Sequence, residues 1–204
     1  VPIHKTIDLG LPAFIERAIA EAKEDKASVI VFDIDTFGGR VDGATEIKNA
    51  ILQLDSSITT VAFITGEAAS AGALISLACT KIVMTKGASI GAATAVDIQG
   101  NKASEKVISY MRSMMRSTAE ARGRSPILAE AMVDDSIGFS HVVVRGDSLE
   151  ASDLEGSKKG KLLTLSTTQA SRFGLADHSA DTLLALPEFL SMSGSLIKEM
   201  CVNS

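Results

Sequence analysis

Ser70 is the residue of this 204-residue chain whose neighbours best suit a nucleophile. It lies in Gly66-Glu67-Ala68-Ala69-Ser70-Ala71-Gly72, between a β-branched apolar run, Ile58 to Thr65, and an Ala- and Leu-rich run, Ala71 to Cys79. The first run predicts a strand and the second a helix. Small side chains at such a junction permit a tight turn and close approach of a substrate. The first N–H groups of the helix, that of Ala71 among them, point at whatever lies beside Ser70. Acyl transfer needs both features: a presented hydroxyl, and N–H donors in place before the oxyanion forms. The same small residues also serve plain close packing, and residue physics leaves both readings open. Gly38-Gly39, beyond the apolar run Ser28 to Asp35, repeats the pattern. Functional groups of parallel sheets gather at the carboxyl ends of strands, so Gly38, Gly39 and Ala71 are candidate oxyanion donors. A turn that needs positive φ is the alternative for the two glycines.

A serine at neutral pH needs a base. His4 falls in a strand, His178 in a polar turn and His141 in an irregular region, so surface or structural roles suit them better. Lys106 falls in the first turn of a long helical run. There the positive helix end and partial burial would both disfavour its charged form. A solvated surface lysine is the alternative.

These residues must be held by a βαβαβα succession. Strand Val1 to Asp8 precedes a helix from Gly10 to about Lys23 with Pro12 in its first turn, then strand Ser28 to Asp35 and a helix from about Asp42 to Leu54. The Ile58 strand, the Ser70 helix and a strand Lys81 to Thr85 follow. The reading is an α/β fold, a mostly parallel sheet with flanking helices and right-handed crossovers. Gly87 to Gly91 reads as an exposed strand edge, and Asp97 to Lys102 as a polar turn. A long helix from about Ala103 to Arg122 is expected to bury Val107, Met111, Met114, Thr118 and Ala121 and to stop at Gly123. Ser125-Pro126 starts a helix through Val133. Asp134 to Lys161 reads as an irregular, mobile surface segment. Strand Leu162 to Leu165, a short helix capped by Ser166 and stopped by Gly174, and a helix from about Ser179 to Leu186 complete the pattern, with the tail after Pro187 ambiguous.

Composition bounds the function. The length fits one domain over residues 1–204, able to bury roughly 70% of its unfolded surface. A net charge of −5 offers no basic surface for nucleic acid. Cys79 and Cys201 form neither a metal site nor a redox motif, and no metal or organic cofactor is implied. No run approaches the ~18 apolar residues of a membrane span. A first residue Val1, inside a strand and without an initiating Met, leads us to expect a processed or excised domain.

Five blocks, in order, carry a resemblance to a known family: Asp35-Thr36-Phe37-Gly38-Gly39-Arg40-Val41-Asp42; Ala68 to Gly72; Gly87 to Ala93; Lys106 to Ser113 with Gly123-Arg124; and Leu162 to Ser166 with Gly174 to Asp177. Together they resemble the NfeD family, membrane-bound serine proteases encoded beside stomatin-like proteins. That family is similar in fold to the Clp protease subunit and to signal peptide peptidase A, within the crotonase-like group. The resemblance implies a Ser/Lys dyad of Ser70 and Lys106, and the lack of a His shortly after Ser70 agrees with lysine as base. Substrates are expected to bind extended beside Gly38 to Val41 and Gly87 to Gly91, which makes Arg40, Val41, Ser89, Ile90 and Gly91 the expected substrate-binding residues. Implied partners are an apolar segment of a stomatin-like protein and a second copy of the chain, as a homodimer or higher oligomer. A membrane is implied only through segments outside this chain, with the domain on the extracytoplasmic side. Phe37 stands where the family usually has Pro, which alters the rigidity of the substrate groove and leaves the N–H donors intact. Asp147 to Lys161 matches no family block. Two other functions fit the fold: a crotonase-type enzyme acting on acyl-CoA, and an inactive scaffold that binds a stomatin-like partner.

Overall fold

The computed structural model describes residues 1–94 and 103–191. The expected turn Asp97 to Lys102 and the end of the tail therefore lie outside the described residues. In chain order the elements are β1 (Pro2–Ile7), α1 (Leu11–Glu24), β2 (Val29–Gly39), α2 (Val41–Leu52), β3 (Thr59–Ala69), α3 (Ala71–Ala78), β4 (Lys81–Met84) and β5 (Ser89–Gly91). They continue with α4 (Glu105–Ala121), α5 (Pro126–Ala131), β6 (His141–Val144), β7 (Asp147–Glu150), β8 (Thr164–Ser166), α6 (Thr167–Arg172), β9 (His178–Ser179) and α7 (Leu186–Phe189).

The main sheet runs β1-β2-β3-β4-β9 with every pair parallel, as the βαβ succession requires. Strands β2 and β3 read as continuous apolar runs because both their faces are covered. Ile30, Phe32, Ile34, Ala62 and Ile64 face the main core, while Val29, Val31, Val61 and Phe63 face a second, smaller cluster with Val83, Ala180 and Leu186. Past Ile64 the pairing slips: Ile34 pairs Ile64, but Thr36 pairs Ala68. The Asp35 carboxylate fastens this bulge by accepting the Glu67 N–H at 3.0 Å. The carboxyl half of β3 thereby leaves β4 and pairs with β5 instead. A bulge of this kind re-aims the residues beyond it, here the strand end that carries Ser70.

All eight residues of α3 are buried, which accounts for its Ala, Gly and Leu composition. It packs on β2 and β3 beneath α2 and α4. The inner stripe of α4 is Ile108, Met111, Met114, Met115, Thr118 and Ala119. Met111, Met114 and Thr118 are buried as expected. Val107 and Ala121 instead face outward, since Ile108, Met115 and Ala119 fill the space beneath the helix.

Three other expectations are corrected. Residues 89–91 are no exposed edge: β5 lies between β3 and an antiparallel β8, and Ile90 is fully buried. The segment expected to be irregular contains the β6–β7 hairpin, turned at Arg145 and Gly146, both with positive φ, as a two-residue hairpin turn demands. Val142, Ala151, Leu154 and Ser157 anchor it in the core. The helix expected over residues 179–186 is replaced by β9, a 3-10 turn at Leu183–Ala185 and the single turn α7. The open edge of β4 takes His178 and Ser179 as ladder partners, and Leu183, Leu186 and Phe189 then cover the outer face of the sheet. The predicted α6 forms as read, with a capping box between Ser166 and Gln169.

After α5, buried Asp134 accepts bonds from the Ser136 N–H at 2.9 Å and from the Arg112 guanidinium. Burial raises its pKa, but the Ser136 and Arg112 bonds outweigh burial and hold the carboxyl below its ordinary value. A carboxyl depressed in the folded state contributes stability above its unfolded pKa of about 4 and loses it as pH falls through the folded value. Asp134→Asn should therefore cost about 1–3 kcal/mol at pH 7. It should also flatten the loss of thermal stability between about pH 5 and 2, measured by melting at stepped pH.

Candidate active site

Ser70 sits where β3 ends and α3 begins, with φ 54° and ψ −116°. Few L residues adopt this backbone, at a cost of order 1–3 kcal/mol, and it turns a side chain outward from a strand-to-helix corner. The conformation is held from both sides. The Ser70 N–H donates to the Gly91 carbonyl at 3.0 Å, and the Ser70 carbonyl accepts from the N–H of Ala73 at 3.0 Å as α3 starts. The N–H groups of Ala71 and Gly72 precede that first intrahelical bond, at the positive end of the helix.

The structure brings Gly38 against Ser70. A Cβ at Gly38 would lie 2.6 Å from the Ser70 Cβ and 3.0 Å from its Oγ, so only hydrogen fits. At Gly39 a Cβ would lie 2.2 Å from the Ile7 carbonyl oxygen of β1. Both glycines have positive φ, 106° and 154°, so close approach and turn geometry operate together. The Gly38 N–H donates to the Thr36 hydroxyl at 3.0 Å, and that hydroxyl donates to the Lys5 carbonyl. Thr36 is fully buried and went unnoticed in the sequence, where its only signal is a polar residue in an apolar strand end.

Arg40 and Val41 line an open cleft of about 610 Å³ with Asp42, Thr45, Glu46 and Tyr110. Arg40 grips Asp42 through Nε at 3.0 Å and Nη2 at 2.7 Å. This pairing lowers the Asp42 pKa and raises that of Arg40. Ser89, Ile90 and Gly91 have both backbone edges occupied, so no substrate strand can add there. Their observed contact with the site is the Gly91 carbonyl on Ser70. Lys106 lies in the first turn of α4 and is exposed, so the burial expected of it is not supplied by the described residues. The histidines have other partners: His4 with Asp33, His141 with Ser140, and His178 stacked on Phe189.

Helix directions bear on the lysine. The Thr45 hydroxyl reaches the Met114 sulfur at 3.4 Å, and Tyr110 shares the cleft with Arg40. At the other end, Arg122 just past α4 donates through Nε to the Ala78 carbonyl at 2.6 Å and through Nη2 to the Ile51 carbonyl at 3.4 Å. Helices α2, α3 and α4 therefore run in parallel. Gly38-Gly39, Ser70 and the first turns of α4 gather at one end of the three.

The family model described as the NfeD1b N-terminal domain matches residues 1–200. The chain belongs to that family. It is 34% identical over 197 residues to the membrane protein NfeD1b of Bacillus subtilis, covering 97% of this chain and 42% of that protein. To the membrane-bound protease PH1510 of Pyrococcus horikoshii it is 30% identical over 131 residues, covering 61% of this chain and 30% of the protease. The chain thus spans less than half the length of either relative. Among solved structures it is similar to a serine-to-alanine mutant of the 1510-N membrane-bound stomatin-specific protease. The TM-score is 0.72 at 25% identity, covering 92% of this chain and 81% of that one. A lysine-to-alanine mutant of 1510-N in complex with a substrate peptide matches with the same score and identity, covering 92% and 76%. ClpP1 from Listeria monocytogenes, at 18% identity and TM-score 0.63, covers 91% of this chain and 93% of its own, so the fold of this NfeD1b-family chain is that of Clp protease. Among the described residues no helix is long and apolar enough to cross a membrane.

Two substitutions test this corner. Ser70→Gly, which relieves the backbone strain that Ser70→Ala retains, should be more stable than Ser70→Ala by about 1 kcal/mol in urea unfolding. Gly38→Ala drives a methyl into Ser70 and should cost about 1–3 kcal/mol in the same measurement.

Proposed function

We propose that the chain is the catalytic domain of a serine endopeptidase with Ser70 as nucleophile and Lys106 as general base. The observation that carries this reading is the strained Ser70 at the start of buried α3, with Gly38 pressed against its hydroxyl. The likeness to proteases, one of them solved as separate serine and lysine mutants, supports it. Lys106 in its neutral form takes the Ser70 proton as the oxygen attacks a peptide carbonyl and returns it to the amine as the C–N bond breaks; water, giving its proton to Lys106, then displaces the acyl group, and Ser70 is reprotonated. The Ala71 N–H holds the oxyanion with that of Gly39, or with that of Gly38 once it exchanges the Thr36 hydroxyl for the substrate oxygen.

The substrate lies extended beside Gly38 to Val41 and over the cleft that Arg40 and Val41 line. Ser89, Ile90 and Gly91 serve substrate binding by holding the serine turn. Exposed Phe37 and Tyr110, with Val41, favour apolar side chains. The name of the solved relative, a stomatin-specific protease, supports a stomatin-like membrane protein as natural target, and we put the domain on the extracytoplasmic side of a membrane, working as a homo-oligomer.

Cleavage of an apolar peptide library should fall by ~10²- to 10⁴-fold in both Ser70→Ala and Lys106→Ala, each checked for folding. A folded parent that binds such peptides without cutting them, with binding unchanged in both variants, would sink the enzymatic reading in favour of a scaffold.

A further inference from the structure

The carboxyl ends of three helices meet at two arginines that the proposed chemistry does not use. Arg124 is 7% exposed, and all five of its N–H donors are engaged. Nε donates to the Leu175 carbonyl at 3.2 Å. Nη1 donates to those of Leu77 at 3.5 Å and Cys79 at 2.9 Å. Nη2 donates to the Thr80 carbonyl at 3.2 Å and the Asp177 carboxylate at 3.0 Å. Asp177 in turn accepts the Ile82 N–H at 2.8 Å, fixing the start of β4. Half-buried Arg122 joins the Ala78 carbonyl of α3 to the Ile51 carbonyl of α2. These carbonyls sit at helix ends, where intrahelical partners run out and a cation is favoured. Such bonds resist sliding, because a planar fork fits one arrangement of acceptors.

We propose that Arg122 and Arg124 are positioning residues that set the register of α4 against α2 and α3, and so the placement of Lys106 relative to Ser70 and Gly38. This rests on Ser70 and Lys106 being the dyad. Parallel packing makes the coupling mechanical. A helix is stiff along its axis, so a clamp at one end fixes the other. With 17 residues against 8 in α3, α4 extends past α3 at the end that bears Lys106. α4 is held besides by its buried stripe against α3, by Arg112 and Arg116 on Asp134 and Glu130, and by the Thr45 to Met114 contact with α2, on a flexible thioether. Apolar contacts tolerate sliding, so the directional bonds that set α4 against the ends of α2 and α3 are those of the arginines, and a shift of about 1 Å at a reacting pair costs up to ~100-fold in rate.

Two measurements on the 204-residue chain test the clamp. In the first, spin labels at Glu67→Cys and Glu105→Cys, both exposed positions, in a Cys201→Ser background report the distance from the Ser70 end of β3 to the start of α4. In the second, a fluorophosphonate reports the rate at which Ser70 is labelled across pH. Arg122→Ala should broaden the distance distribution and slow labelling of the folded protein by ~10- to 100-fold. Arg122→Lys, which keeps one donor, should recover part of both. Arg116→Ala, on the outer face of the same helix, should change neither. Arg124→Lys should behave as Arg122→Ala if it folds. A folded Arg122→Ala with unchanged distances and labelling overturns the proposal. Distances that respond in a chain whose parent is never labelled at Ser70 overturn the dyad and leave the register clamp standing.

Discussion

A serine with φ 54° and ψ −116° keeps that backbone only while its surroundings hold it, and much of this fold can be read as the apparatus that does so. On one side stands the Gly91 carbonyl of β5, and on the other the first bonds of α3. Strand β5 supplies that carbonyl because the Asp35-fastened bulge steers the end of β3 away from β4 and onto β5. β8 closes the far edge of β5, so the carbonyl cannot drift. Helix α3 is buried along its whole length and cannot shift to relax the turn. The strain at Ser70 is thus offset by packing and ladder bonds spread over four elements.

Close approach is the second constraint. With hydrogen alone between Gly38 and the serine side chain, the ends of β2 and β3 lie nearer than any other residue at 38 would allow. The hydroxyl of Thr36 joins the Gly38 N–H to the Lys5 carbonyl, so β1 and β2 share the bonds that shape the loop. The Gly38 N–H is spent on Thr36, so this bond orders the glycine turn beside Ser70 and leaves no free donor at Gly38.

Opposite the serine end, Arg122 and Arg124 satisfy carbonyls that burial would otherwise leave unpaired. Burial pulls the Arg124 guanidinium below its ordinary range, and Asp177 opposes that shift. The two ends of the helical layer thus divide the work: cations and carbonyls lock one, and small residues leave the other open to a ligand.

How far the sequence reached depends on the range of the forces involved. The alternation of β and α, the Pro12 helix start, the Ser166 capping box, the Ser70 junction and the paired glycines are local matters. Each is written in a few adjacent side chains, and each was legible. Tertiary structure alone decided which edges were already taken. Ser89 to Gly91 look like a free edge until β8 arrives from some 75 residues away, and His178-Ser179 look like a turn into a helix until β4 offers an open ladder. The same holds for Thr36 and the two arginines, whose partners are distant carbonyls that carry no trace in side-chain pattern. Sequence periodicity reports which face of an element is apolar. It does not report which backbone groups another part of the chain will claim, and at this site those groups fix the geometry.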